Sequence, residues 1–339
     1  AVLEGGRTGP RAVLCAGGLM VDDLGDALEA RGFQVYVLET ERLSREELDV
    51  AVARFAPRFI AAINYRHGLA ELAHRHATPL VCWEIDPAVD RLQVAPEAAE
   101  EAHIFTYRRE HVARFEAAGF PRVSYLALAT NPARRHPTRD EEAAPIPVSY
   151  VGSSMLEQAA SCRRRLTAAL GAWCEAEGID PPTATRTLDG VMDAQGDDLE
   201  RYLLPTLFPK HLASFVWWTR LHLPEVDPVR LAGEVAASVK RLSWVAELGR
   251  RFRIRVFGDD GWRLTTAHGA VWGGPAGHGA QLTGIYGRSA INVDIGRLYQ
   301  EDMVTLRVFE VLACGGLLLT RDNPALRELF EPGVHLDTY

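Results

Sequence analysis

Between residues 11 and 129 short runs of β-branched, aliphatic and aromatic residues keep alternating with longer amphipathic stretches. The strand candidates are 12–16, 34–39, 59–64, 80–85, 103–107 and 123–129, and helical patterns fill 23–30, 44–55, 68–76 and 109–118 between them. Strands joined by helices of this length are joined by crossovers, and crossovers build parallel sheets covered on both faces. The spacing therefore predicts a doubly wound α/β half.

Residues 131–147 break that rhythm with Asn131-Pro132, His136-Pro137, the run Arg139-Asp140-Glu141-Glu142 and Pro145-Ile146-Pro147. Proline deters a helix there and the charges deter a core, so the segment reads as a linker. Beyond it come a strand at 148–151 closed by Gly152-Ser153-Ser154, a helix at 158–176 and a mostly helical block at 197–250. The alternation then resumes with strands at 252–257, 270–272, 290–295 and 317–320 and helices at 280–286 and 304–313. The expected fold is α/β, with two doubly wound Rossmann-like domains facing across a cleft. Residues 1–130 form the first, 131–147 the linker, and 148–339 the second with the helical block as an insertion; a length of 339 suits about two domains.

Charge and cysteine usage narrow the function. The balance of 37 Lys and Arg against 45 Asp and Glu, net −8, argues against nucleic acid as a partner. No apolar run approaches the roughly 20 residues of a bilayer span, so no integral membrane segment is expected. Five cysteines, Cys15, Cys82, Cys162, Cys174 and Cys314, are odd in number and lack a CxxC spacing, which fits reduced thiols in a cytoplasmic protein. The chain opens on Ala1, so a removed start is allowed for. His74 and His76 point to different helix faces, the pairs Asp22-Asp23 and Asp259-Asp260 read as caps or turns, and no metal is expected.

The segment 302–320, DMVTLRVFEVLACGGLLLT, is the strongest candidate for chemistry. A helix starting around Met303, Val304 and Thr305 would offer unpaired N–H groups and a positive dipole end to an anion. Two turns on, the Glu310 carboxylate would suit two neighbouring hydroxyls of a ribose, and Gly315-Gly316 after Cys314 would cap the helix. An ordinary amphipathic helix feeding a buried strand fits the local pattern equally well. Glycine-rich strand ends at Gly17-Gly18, Gly152-Ser153 and Gly258-Asp259 would let a phosphate or sugar approach the backbone, or are simple tight turns; none is a GxGxxG or a P-loop. Asp86 is either a general base for an acceptor hydroxyl or a helix cap before Pro87. The loop Asn64-Tyr65-Arg66-His67 is a second acceptor-side candidate, and Trp217-Trp218 either shape the acceptor or fill a core.

RVFEVLACGGLLLT, preceded by IYGRSAINVDI at 285–295 and followed by RELFEPGVH at 327–335, resembles the carboxyl-terminal part of the spore-maturation CgeB-like glycosyltransferases, which have the GT-B fold. PLVCWEIDP at 79–87, HIFTYRREHVARFEAAGF at 103–120 and VSYVGSS at 148–154 carry the resemblance through the first half. It implies a nucleoside-diphosphate sugar donor, no further cofactor, and an unknown small-molecule, glycan or protein acceptor. In retaining enzymes of this fold two acidic residues separated by seven others flank the helix start. Glu310 matches the ribose-binding one, and Asp302 stands where Glu is usual for the sugar-contacting one, one methylene shorter. The resemblance also assigns Arg307 to the leaving diphosphate in preference to the cluster Arg163, Arg164 and Arg165, sets Gly258, Asp259 and Trp262 around the nucleotide, and puts Trp272 and Tyr286 beside the base. GT-B chains usually continue into helices past a strand such as 334–336, whereas this one stops at Tyr339. The expectation is a metal-independent glycosyltransferase, with retention favoured. A sugar-nucleotide epimerase or hydrolase and a non-catalytic spore or surface assembly protein are the alternatives.

Overall fold

The computed structural model describes residues 9–86, 94–138 and 144–339. The charged run at 139–142 and Pro87 lie outside the described residues. Contacts divide the chain into two compact units, Ala1–Asn131 with Asp302–Leu306, and Pro132–Glu301 with Arg307–Tyr339.

The amino-terminal unit runs β1 (Arg11–Cys15), α1 (Val21–Ala30), β2 (Gln34–Leu38), α2 (Arg45–Phe55), β3 (Phe59–Ile63), α3 (Leu69–Arg75), β4 (Leu80–Glu84), α4 (Pro96–Ala99), β5 (Ala102–Thr106), α5 (Arg109–Ala117) and β6 (Val123–Tyr125). Its sheet is parallel throughout, in the order β2-β1-β3-β4-β5-β6. The central strands explain themselves by alternation. Val13 and Cys15 of β1, with Ile60 and Ala62 of β3, pack into a cluster with α2 and α3, whereas Leu14, Ala61 and Ile63 join a second cluster with Val21. Successive residues bury opposite faces, which is why these strands read as continuous apolar runs. Ser44 starts α2 with a reciprocal capping box to Glu47.

The carboxyl-terminal unit runs β7 (Ile146–Val151), α6 (Leu156–Glu177), α7 (Pro181–Gly196), α8 (Leu204–His211), α9 (Ala213–His222), α10 (Pro228–Arg251), β8 (Ile254–Phe257), a 3₁₀ helix (Asp260–His268), β9 (Val271–Trp272), α11 (Ala280–Arg288), β10 (Ser289–Val293), α12 (Leu306–Ala313), β11 (Leu318–Thr320), α13 (Pro324–Leu329) and β12 (Asp337–Thr338). Its parallel sheet has the order β12-β11-β10-β7-β8-β9. Helices α6 to α10 share their own core around Leu166, Trp173, Leu204, Phe208 and Phe215. Trp218 packs partly against that core while Trp217 is 60% exposed. All five cysteines are free and buried. No helix among the described residues is long and apolar enough to cross a membrane.

Candidate functional site

In doubly wound sheets ligands gather outside the carboxyl ends of the strands, so the residues after β7, β8 and β10 come first. β7 and β8 end side by side: Gly152 N–H donates to Phe257 O at 2.9 Å, and the buried Trp262 indole donates to Gly152 O at 2.7 Å. Gly258 has φ +149, and a Cβ there would lie 2.1 Å from Gly152 O, so only glycine closes this corner. Asp259 spends its carboxylate inside the turn, accepting from the Ser153 hydroxyl at 2.6 Å, the Ser154 N–H at 2.8 Å, the Ser154 hydroxyl and Gly261 N–H. Burial opposes its charge, but those donors outweigh it and hold its carboxyl below the ordinary value. Trp272 bonds Gly258 O through its indole at 3.3 Å and carries the Arg263 guanidinium 4.0 Å above its ring.

Next to this corner stands a charged assembly. Asp294, just past β10 and 3% exposed, accepts from Arg307 Nη1 and from the Thr320 hydroxyl at 3.2 Å. The Arg307 guanidinium lies 5.1 Å from the Tyr150 ring centroid. Burial works against the Arg307 charge, yet the Asp294 carboxylate, joined by Tyr150 and Tyr286, outweighs it and drives the pKa upward. The Tyr150 hydroxyl and Arg307 Nε are buried without a hydrogen-bond partner among the described residues. A Cβ at Gly152 would sit 2.8 Å from both Arg307 Nη2 and the Tyr150 hydroxyl. Glycine thus lets a fixed cation and an orphaned hydroxyl close directly onto the strand-end backbone, groups of the kind an anion site uses. Tyr286 of α11 is 3% exposed beside it, and burial pushes its phenol up while the Arg307 charge pulls the other way.

On α12, Glu310 is 6% exposed and accepts from Arg135 Nε at 3.0 Å. The helix begins at Leu306, later than the predicted start at Met303 to Thr305. Met303 and Val304 bury their side chains ahead of it, each 5% exposed, and the residues 302–306 belong by contact to the amino-terminal unit. In that unit Asp302 Oδ1 accepts from Arg108 Nε at 3.1 Å and Nη2 at 2.6 Å.

The strand ends of the amino-terminal unit are knitted by two side chains. Arg66 donates to Gly17 O at 2.6 Å, next to Gly18, and pairs with Glu41 at 2.7 Å. Asn64, at φ +60, accepts from Ile85 N–H at 2.8 Å and Asp86 N–H at 3.2 Å, and its amide donates to Asp86 Oδ2 at 2.7 Å. Two titratable groups that sequence reasoning passed over lie in this unit. Glu84, 4% exposed, accepts from Tyr65 N–H at 2.5 Å, and burial lifts its pKa to about 7. His111, 1% exposed, is pushed down to about 4 by burial and then by the charges of Arg108 and Arg114.

Residues 240–339, the stretch that holds Asp294, Arg307 and Glu310, match a family model described as glycosyl transferase-like. Over 98% of its length the chain superposes on 86% of a sucrose-phosphate synthase from Thermosynechococcus elongatus, with 12% identity and a TM-score of 0.50. The fold is GT-B. Anabaena HepE in complex with UDP-glucose aligns over 97% of this chain and 85% of its own, at 11% identity and a TM-score of 0.49. No curated protein matches the chain.

The structure therefore gathers Gly152, Ser153, Gly258, Asp259, Trp262 and Arg307 around one corner of the carboxyl-terminal unit, with Tyr286 beside Arg307 and Trp272 on Gly258. It assigns Gly17, Gly18, Asp86, Asp302, Met303, Val304 and Thr305 to the other unit. Arg163, Arg164 and Arg165 are exposed along α6. Tyr150, Asp294 and Arg135 were missed. The first two had a signal, being a tyrosine two residues before a strand-end glycine and an aspartate closing an apolar strand. No group of three or more His, Cys, Asp or Glu able to hold a metal ion occurs among the described residues.

Proposed function

We propose that this chain is a glycosyltransferase that moves a sugar from a nucleoside-diphosphate donor to an acceptor held chiefly by the amino-terminal unit. The observation that carries the reading is Arg307, fixed by Asp294 beside the orphaned Tyr150 hydroxyl and packed against the strand-end Gly152, within a stretch that matches the glycosyl transferase-like model. In the reaction the bond between the anomeric carbon and the diphosphate oxygen breaks, a bond to the acceptor oxygen forms, and the leaving diphosphate gains negative charge. A cation held in place beforehand stabilises that charge at no cost of reorganisation during the reaction, and Arg307 supplies it without a metal. Glu310 receives the ribose hydroxyls, and Trp272 and Tyr286 stand beside the base. The pair Asp302 and Glu310 supports retention, in which the acceptor proton passes to the departing diphosphate; inversion would call on Asp86 as base. The unpaired thiols support a cytoplasmic setting.

The test is a thermal-shift screen against UDP, GDP, dTDP, CDP and ADP, with and without magnesium. A nucleotide present at about 100 times its Kd adds roughly 2.7 kcal/mol of stability. Stabilisation by one of them without magnesium, lost in Arg307→Ala and in Gly152→Ala, is the expected result; no shift with any of the five overturns the reading. Product analysis with the matching sugar nucleotide then separates transfer from release of free sugar or formation of an epimer.

A further inference from the structure

Arg135 lies between β6 and β7 and belongs by contact to the carboxyl-terminal unit. Its side chain is 9% exposed and that of Glu310 8%. All three of its nitrogens are committed: Nε to Glu310 Oε1 at 3.0 Å, Nη2 to the His278 carbonyl and Nη1 to the Arg134 carbonyl at 3.4 Å. That last carbonyl also accepts from the Thr283 hydroxyl of α11 at 3.3 Å, so the backbone that carries Arg135 is itself tied down. Glu310 Oε2 has no hydrogen-bond partner among the described residues. One oxygen of this carboxylate is clamped and the other is left over.

We infer that Arg135 is a positioning residue for the donor: it holds Glu310 by Oε1 so that Oε2 meets the 2′- and 3′-hydroxyls of a ribonucleoside diphosphate. The inference rests on the reading of Glu310 as the ribose-binding carboxylate and adds a substrate class, ribonucleotide donors in preference to deoxyribonucleotide ones. The physical argument is one of preorganisation. An unrestrained glutamate loses rotamer freedom when it binds a ligand, whereas one fixed by a charge-assisted bond to an anchored guanidinium has lost it on folding. The clamp also orders the two oxygens, since the one facing Arg135 is spent and a diol must approach the other. A lysine at 135 would keep the charge but could not reach Glu310, His278 O and Arg134 O at once, because an ammonium is a point donor and not a planar fork.

The experiment measures binding of UDP, GDP, ADP and CDP, each beside its 2′,3′-dideoxy counterpart, to the wild type, Glu310→Gln, Arg135→Lys and Arg135→Gln, with circular dichroism confirming which variants fold. For the nucleotide that binds, the wild type is expected to prefer the ribose form about tenfold, the worth of one good hydrogen bond to a charged group. Glu310→Gln should cut that preference to about twofold or less. The folded Arg135 variants should do the same while their affinity for the dideoxy form stays within about twofold of wild type. A structural tie would instead weaken both forms alike, and that result overturns the inference. So does full ribose preference in a folded Arg135 variant when Glu310→Gln has lost it, a case that leaves the Glu310 reading intact. Unchanged preference in Glu310→Gln, or none in the wild type, removes the ribose role itself and the inference with it.

Discussion

Asp294 and Arg307, thirteen residues apart, form an ion pair in which the carboxylate is 3% exposed and the guanidinium is stacked over Tyr150. Removing one member of a buried pair leaves the other charge uncompensated, at about 3 kcal/mol or more. Asp294→Asn is therefore expected to lower thermal stability by that order. It should also weaken the diphosphate of the bound nucleotide several-fold more than the parent nucleoside, which calorimetry with both ligands measures.

Asp86 is oriented by Asn64 and exposed, so its replacement disturbs little packing. Asp86→Asn is expected to leave nucleotide affinity and melting temperature within error and to lower transfer. Steady-state assays with donor and acceptor check it: undiminished turnover assigns Asp86 to the loop geometry alone.

Glu84 and His111 give the amino-terminal unit two opposed pH dependences. Glu84 holds its proton to about 7 in the fold against 4.5 in the free side chain, so its contribution is full below 4.5 and fades as pH rises to 7. His111 stays neutral down to about 4 against 6.5, so stability falls as pH drops from 6.5 to 4. Each slope spans up to about 3 kcal/mol and the two offset over their shared range. Glu84→Gln, whose carbonyl still accepts from Tyr65 N–H, should unmask a loss of stability on acidification; His111→Phe should unmask a loss on raising the pH. Denaturant melts at pH 4.5, 5.5 and 6.5 check this, and parallel curves for wild type and both variants would refute it.

Phe215 is fully buried against Trp173, ring centroids 5.4 Å apart, whereas Trp217 two residues on is 60% exposed. Phe215→Ala is expected to cost about 3–5 kcal/mol and Trp217→Ser less than about 0.5 kcal/mol. Urea titrations separate them.

How much of this was legible depended on whether a residue's partner lay within its own pattern. β1 and β3 were readable to within one residue, because both their faces are buried and the run of apolar residues has no gap. α7 was overlooked despite Asp180-Pro181-Pro182, a cap followed by proline in the first turn. Three threonines and two glycines in its sixteen residues dilute the helical signal, and its burial against α6 and α8 supplies what propensity lacks. The start of α12 was set too early because Met303 and Val304 look like helix residues, yet they bury themselves ahead of it. Within the site, Glu310, Arg307 and the glycines stood out by spacing and resemblance. Arg135 did not, since it sits in a proline-broken segment 175 residues from the carboxylate it holds.

The five buried thiols make the chain its own reporter of opening. Burial lifts the Cys15 thiol to about 12 and drives Cys82 upward as well, so neither meets a disulfide reagent as thiolate while the fold stays closed. Reagent consumption then counts excursions from the native state. Cys15 and Cys82 register those of one sheet, and Cys162, Cys174 and Cys314 those of the other unit, so peptide mapping of the modified thiols ranks the two without any added label.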